Sequence, residues 1–517
     1  MAAAAPRKND PGRDNIAVRL LAEQAFSRAA GAPLLEGNTV DLLIDARVNF
    51  NAWLAAIRGA QSLILIENYI FRDDDTGREF RAALTERAAA GVRVCVVRDW
   101  LGCLGQSRFG FWQPLIAAGG EVRTYNPPRF TSPFGWLSRD HRKLLVVDNT
   151  AGFVGGLCVS GAWLGNAERG IDPWRDTAVA VRGPAIRDLA NAFADIWGML
   201  GDALPDAVLA HTEHCLPAGQ VDLRVVATVP NTAGLYRLDQ LIAAMARRSL
   251  WIADAYFVGV APYVQALIAA RRDGVDVRLL VPGTSDIPAV ATVSRAGYRP
   301  LLEAGIRVFE WNGSMLHAKT AVADSRWARV GSSNLNLSSW IGNCELDLAI
   351  EDEAFARGME EQYETDLGNA TEIVLKLPRR FRKAKADAEA AARQPAAHAT
   401  DARSEASVVA EGTASSKPHS AGPRVGPPYP RARGGSSGRA AAGAMRLANS
   451  VGAAISNRRV LGKTESGPLL AAGVFLVVCA ALGFWWPRVI AWPLAVLALW
   501  MGASLIARYV GSHKRDG

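Results

Sequence analysis

The sequence predicts an α/β protein built from two copies of one domain, each with a mixed sheet, continued by a disordered linker and a C-terminal transmembrane helical hairpin. Three observations predict it. Apolar β-branched runs alternate with helical patterns from about Asn15 to Leu377, one register of features occurs twice within that region, and the composition changes abruptly at Pro378. Such runs separated by helices argue for a mixed or largely parallel sheet.

In chain order, residues 1–15 read as disordered, because MAAAAPRKNDPGRD has no apolar core behind its charges, which also excludes a secretory signal. The first repeat takes 16–205 and the second 206–377, with the boundary between about Asp202 and Val221. Strands are expected at SLILIENYIF (62–71), VRVCVV (92–97) and KLLVVD (143–148), then at LWIADAYF (250–257), VRLLVP (277–282) and TAVAD (320–324). The repeat shows in matched pairs. Ser62-Leu63 leads to Tyr69 as Ser249-Leu250 leads to Tyr256, ALTERAAAGVRVCVV matches ALIAARRDGVDVRLLV, and GGEVRTY matches AGIRVFEW. The unit is too long for a solenoid, so two domains packed together are expected.

Residues 378–466 are dominated by Ala, Gly, Pro, Ser and Arg, which cannot bury a core, and read as a flexible basic linker. Within it AMRLANSVGAAISNRRVLG has the pattern of a short amphipathic helix. Residues 467–510 hold two apolar runs, Pro468–Trp486 and Val489–Ala507, each nineteen residues long. At roughly 1.5 Å per residue each spans a hydrocarbon core of about 30 Å. Pro487 and Arg488 make the turn, and Trp485, Trp486 and Trp492 suit the interface there. The alternative, a buried hairpin of a soluble domain, lacks anything nearby to cover it. Basic residues gather at the outer ends (Arg458, Arg459, Lys463, Arg508, Lys514, Arg515) and in the tail over 511–517, which puts both ends in the cytoplasm.

The formal charge of the 517 residues is +8, but sixteen Lys or Arg against six Asp or Glu lie between Pro378 and Gly467. The repeats are therefore mildly acidic, and no nucleic-acid partner is expected for them. Six cysteines without a C-x-x-C pair read as free thiols in a reducing compartment. His211, His214 and Cys215 lack a fourth ligand nearby, so they read as an inter-repeat loop and no metal is expected.

The chemistry sits in two H-x-K-x4-D motifs, His141, Lys143 and Asp148 in the first repeat and His317, Lys319 and Asp324 in the second. A glycine, Gly155 or Gly331, follows each Asp in the same register. On a strand, side chains two apart share a face, so each His and its Lys point together. The Asp falls on the other parity or past the strand, where fixing the turn suits it better than work at the reacting atom. Two facing copies bring two imidazoles and two ammonium groups to one place. The lysines would stabilise charge building on a phosphoryl group. One imidazole would attack phosphorus while the other serves as acid and base. An unperturbed imidazole, with a pKa of roughly 6.5, is available in either protonation state near neutrality.

The paired motifs resemble the phospholipase D superfamily. ENYIF, PWRDTAVAVRGPAI, PGTSD followed by RPLLEAGIRVFEW, LHAK, GSSN and NCE resemble its bacterial cardiolipin synthase branch, over about residues 40–370. The resemblance implies two pseudo-symmetric phospholipase D-like α/β repeats with one shared site and no cofactor. It implies His141 as nucleophile and His317 as general acid/base, with Lys143 and Lys319 beside them and Asp148 and Asp324 completing the catalytic motifs. Asn334 and Ser332 of GSSN would bind or orient the phosphate, and Glu345 and Asp176 would orient the histidines. Cys158 departs from the pattern, standing where the family commonly has Asn, and a thiol is a poor donor. Phe134 and Trp136, just before His141, suit acyl chains or a loop core equally.

The function implied is a membrane-associated phosphatidyltransferase that forms a phosphatidyl-histidine and passes it to phosphatidylglycerol. It would act at the bacterial inner membrane, with the catalytic region cytoplasmic and phospholipids as its substrates. A phospholipase D releasing phosphatidic acid, a nucleic-acid phosphodiesterase and a non-enzymatic membrane scaffold are the alternatives.

Overall fold

The computed structural model describes residues 22–375, apart from 108–109, 129–136, 206–207 and 209–214, and isolated helical positions between 492 and 500. The expected disordered N-terminus, the linker, its amphipathic stretch and nearly all of the hairpin lie outside the described residues, as do Phe134, Trp136, His211 and His214. Among the described residues no helix is long and apolar enough to cross a membrane.

The first half runs β1 (Leu35–Ile44), α1 (Asp45–Gly59), β2 (Leu63–Asn68), α2 (Asp75–Ala89), β3 (Arg93–Asp99), α3 (Gln113–Ala117), β4 (Glu121–Tyr125), β5 (Lys143–Val147), β6 (Ala151–Gly155), β7 (Thr177–Arg182) and α4 (Ala185–Leu200). The second runs β8 (Val221–Thr228), α5 (Gly234–Met245), β9 (Ser249–Ala253), α6 (Ala261–Arg272), β10 (Asp276–Pro282), α7 (Pro288–Glu303), β11 (Arg307–Trp311), β12 (Thr320–Ala323), β13 (Trp327–Gly331), β14 (Glu345–Glu351), α8 (Glu353–Leu367) and β15 (Ala370–Ile373). All fifteen strands join one sheet in the order β15-β11-β10-β9-β12-β13-β14-β8-β1-β7-β6-β5-β2-β3-β4. Read outward from the β8–β1 seam, the two halves list their strands in the same sequence, with β15 added at one edge.

Local chemistry explains the elements. The run LILIEN of β2 is buried throughout, as a parallel strand covered on both faces must be. Asp74 and Asp352 cap α2 and α8, their carboxylates accepting from the N–H of Gly77 and Phe355. In α4, Ile186, Leu189, Ala190, Phe193 and Trp197 recur at helical spacing and are buried. Three cores result. One lies outside each half, and a central one collects α4 and α8 with strand residues of both halves, such as Leu144, Val146, Leu346 and Leu348. Apolar burial on this scale, worth about 1.5–3 kcal/mol per large side chain, holds the halves as one body.

The sheet is mixed. Strands β2, β3 and β4 are parallel, as are β9, β10 and β11, while β5, β6 and β7 and their counterparts run antiparallel. Within each half the C-terminal ends of β2, β3 and β6, or of β9, β10 and β13, therefore share one end, and the bridges Asp140–Cys344 and Arg175–Leu316 bring those two ends together. Asn68 pairs with Lys143 at that end of β2, and Ala253 with Thr320 at that end of β9.

Candidate active site

Strands β5 and β12 begin where the sequence assigns them, and each motif histidine lies just before its strand. Strand β5 begins at Lys143 and β12 at Thr320, so both histidines occupy the extended entry to a strand. Pairing with β2 stops at Lys143 and with β9 at Thr320, which leaves those entries without a ladder partner in their own half. They pair with the other half. The His141 N–H donates to the Cys344 carbonyl at 2.9 Å, and the His317 N–H to the Arg175 carbonyl at 2.7 Å.

The side chains repeat the exchange. His141 Nδ1 lies 2.9 Å from Glu345 Oε2, and His317 Nδ1 lies 2.8 Å from Asp176 Oδ2. Each histidine of one half is thus held by a carboxylate of the other. With Nδ1–H donating to an ionised carboxylate, the lone pair of Nε2 is the reactive face of each ring. Lys143 and Lys319 return their ammonium groups to the carbonyls of His141 and His317, and Lys319 Nζ also lies 3.0 Å from His317 Nδ1.

Both histidines are almost wholly buried, 7% and 5% exposed. Burial lowers both imidazoles to about 4 against the pull of their carboxylates, and the ammonium groups of both lysines act on both rings in the same direction. Burial also lowers Lys319, to about 8. It works against ionisation of Asp176 and Glu345, yet the neighbouring imidazoles and lysines outweigh it and hold both carboxyls below their usual range. At neutral pH the resting site therefore carries neutral imidazoles between fixed opposite charges. A phosphodiester entering there adds negative charge, which raises the pKa of an adjacent imidazole and draws a proton onto it.

Asp148 and Asp324 sit away from this centre. Asp148 accepts from the N–H groups of Gln61, Ser62 and Leu63 at 2.8 Å, and Asp324 from those of Arg247, Arg248 and Ser249 at 2.7–3.0 Å. Each also opens a tight turn in which two successive residues hold positive φ, Asp148-Asn149 and Asp324-Ser325. Asp tolerates that region better than most residues do. Gly155 and Gly331 allow close strand approach, since a Cβ would strike Ala178 or Asp347.

The remaining residues named from the sequence cluster at the histidines. Ser332 Oγ donates to Glu345 Oε2 at 2.6 Å. Asn334 is buried, and its Oδ1 has no hydrogen-bond partner among the described residues. Cys158 is buried where the charges of Lys143 and Lys319 both reach it. The cysteines at 95, 103, 158 and 344 are buried and free, and Cys215 is half-buried and free. No group of His, Cys, Asp and Glu that would hold a metal occurs among the described residues.

Sequence reasoning missed the aromatic wall. Trp163 Nε1 donates to Asp176 Oδ2 at 2.8 Å, and Trp163, Trp174 and Tyr256 pack their rings 5.1, 5.7 and 5.8 Å from that of His317. Tyr69 packs 5.0 Å from His141. The two tyrosines carried a signal, since they stand at one repeated position; the tryptophans carried none. Arg175, also missed, forks onto Asp366 with two bonds of 2.8 Å and ties the Asp176 strand to α8.

The chain matches the family described as cardiolipin synthase, PLD-like domain, over residues 53–197 and 239–367. Cardiolipin synthase A of Pseudomonas fluorescens (strain SBW25) is 34% identical over 370 residues, 70% of this chain and 75% of that protein. A cardiolipin synthase of Clostridium perfringens (strain SM101 / Type A) is 31% identical over 352 residues, 65% of this chain and 72% of that one. Among solved structures, phosphatidylserine synthase from Haemophilus influenzae Rd KW20 superposes with a TM-score of 0.51 at 15% identity, covering 71% of this chain and 97% of that one, a likeness of fold.

Proposed function

This chain belongs to the cardiolipin synthase branch of the phospholipase D superfamily, and on that premise we propose that it is a phosphatidyltransferase joining two phosphatidylglycerol molecules. His141 Nε2 attacks the phosphorus of one lipid, forming an N–P bond as the bond to the head-group oxygen breaks. His317, protonated when the phosphate enters, gives its proton to that oxygen, and glycerol leaves. His317 Nε2 then takes the proton of a head-group hydroxyl on the second lipid, whose oxygen displaces His141 from phosphorus. Lys143, Lys319 and the Asn334 amide stabilise the phosphoryl oxygens throughout. Asp176 and Glu345 hold the rings, and Asp148 and Asp324 hold the turns that carry them. The two repeats join between Asp202 and Val221, and the C-terminal apolar runs anchor the cytoplasmic catalytic region to the bacterial inner membrane.

The observation that carries this reading is the exchange of carboxylates between halves, which gives each buried imidazole a fixed Nδ1–H and a free Nε2. The test is product analysis with the full chain in mixed micelles of phosphatidylglycerol. Cardiolipin and glycerol are expected, and both disappear in His141→Ala and in His317→Ala. Phosphatidic acid as the main product would make the protein a hydrolase. Cleavage of single-stranded DNA without lipid turnover would make it a nuclease.

A further inference from the structure

We propose that Asp286 is the head-group-binding residue of this site, its carboxylate accepting a hydrogen bond from a free hydroxyl of the glycerol that leaves or attacks phosphorus over His317. This deepens the transferase reading above and rests on it. In an in-line displacement the leaving oxygen departs on the side opposite the nucleophile. With His141 attacking, the head group therefore lies on the His317 side, and the groups fixed there read it.

Tyr256 joins Asp286 to that side. Its ring packs 5.8 Å from the ring of His317, and its hydroxyl donates to Asp286 Oδ1 at 2.7 Å. Tyr256 is itself held on both sides. Its N–H donates to Asp254 Oδ1, and its carbonyl accepts from the Asn336 amide, each at 3.0 Å. The loop after β10 that carries Asp286 is pinned as well. The Gly283 N–H donates to the Trp311 carbonyl at 3.1 Å, and Arg295 donates to the Gly283 carbonyl at 2.9 Å. The Thr284 hydroxyl donates to the carbonyl of Ser314 in the segment that enters His317. Asp286 has no other duty in the fold. It stands just before α7, yet that helix takes no side-chain cap, and the Ile287 N–H turns to Ser285 Oγ at 3.1 Å. Asp286 is exposed, and no Lys or Arg pairs with it among the described residues.

The first half reverses the sign. Tyr69 holds the matching repeat position beside His141, and burial raises its hydroxyl to about 12 against the pull of the Arg139 guanidinium. One tyrosine thus has a cation beside it and the other a carboxylate. Phosphoryl oxygens are drawn to Arg139 and the motif lysines and repelled by Asp286, which leaves the uncharged, hydroxylated head group as the part that suits the carboxylate. A hydroxyl donating to a carboxylate makes a charge-assisted bond, and a site that relies on it rejects the analogue without the hydroxyl. The acceptor's glycerol takes the same place in the second step, so one carboxylate serves both.

The test measures kcat/KM of the full chain for consumption of phosphatidylglycerol and of phosphatidyl-1-propanol, which lacks both free hydroxyls. The ratio is expected to favour phosphatidylglycerol by about tenfold or more, and to fall to about one in Asp286→Ala. Asp286→Asn keeps an accepting oxygen without the charge and should retain about a threefold preference. Tyr256→Phe releases the carboxylate and should lower the ratio part of the way, whereas a general loss of stability acts on both lipids alike. A ratio of one in the unaltered protein, or a ratio that Asp286→Ala leaves unchanged, overturns the proposal. Faster turnover of phosphatidylethanolamine than of phosphatidylglycerol, with that preference lost in Asp286→Asn, assigns the carboxylate to an ammonium and overturns it too. An Asp286-dependent ratio with phosphatidic acid as the product supports head-group binding and removes the transferase reading alone.

Discussion

The two corners of the active site share a strand plan and differ in how they are finished. At the His141 corner, the orienting carboxylate of Glu345 takes second and third hydrogen bonds from Ser332 and from Asn343, the latter at 3.2 Å. At the His317 corner, Gly156 stands where the other half has Ser332, and any Cβ there would strike the Asp176 carboxylate. Asp176 draws its support from Trp163 instead, and the rings of Trp163, Trp174 and Tyr256 enclose His317. Among the described residues, Tyr69 is the aromatic neighbour at the His141 ring. A duplicated scaffold thus supplies two similar bases, and the loops after β6 and β13 give them different surroundings. The difference lies in what surrounds two equally buried rings, hydrogen-bonded side chains at one and aromatic rings at the other.

The comparison breaks most visibly if the histidines exchange roles. On natural lipid, His141→Ala and His317→Ala should each lose about four orders of magnitude. A lipid with a nitrophenolate leaving group needs no proton, so His317→Ala should form the phosphatidyl-enzyme from it, with the mass increase on the His141 peptide. Recovery in His141→Ala, with the label on His317, would reverse the assignment.

A smaller effect separates the two supports. Trp163→Phe and Ser332→Ala each remove one hydrogen bond to a buried carboxylate, a loss of about tenfold in kcat. The Trp163→Phe loss should shrink with the nitrophenolate lipid, because it acts through the proton carrier. The Ser332→Ala loss should persist, and identical behaviour of the two variants would remove the distinction between the corners.

The lysines give a pH test. Burial lowers Lys319 to about 8, so its positive charge is present below that pH and is lost as pH rises through it. kcat/KM should fall with a limb near pH 8, and Lys319→Arg, charged across the range, should flatten that limb even at reduced activity. A limb nearer the ordinary lysine value would show that the ammonium is better solvated than its buried position indicates.

The smallest change expected is at Cys158. An amide there, as in Cys158→Asn, gives the first half the donor that Asn334 supplies in the second. About a threefold lower KM with unchanged kcat is expected, the value of one modest hydrogen bond.

The strands and both motifs were legible because their signals are local. A run such as LILI, which opens β2, is wholly apolar, and H-x-K-x4-D occurs twice at one register. The placement of the histidines on strands was not right, since a strand ends where its neighbour stops pairing, and that neighbour is remote in sequence. Asp176 and Glu345 were found only through resemblance, for they lie at unequal distances beyond their motifs. Trp163 was missed because its partner carboxylate and its histidine come from three separate segments.

By itself, the sequence determined that this enzyme has two copies of one α/β unit, which residues carry charge and imidazole, and that Asp148 and Asp324 belong to turns. Each of those depends on residues close together in the chain, where periodicity and spacing suffice. Tertiary structure alone decided that each histidine is oriented from the opposite half, that burial keeps both rings neutral, and that a tryptophan replaces a serine at one corner. Those depend on which remote groups share a dehydrated space, because a charge or hydrogen bond acts across ångströms regardless of the number of residues between its partners.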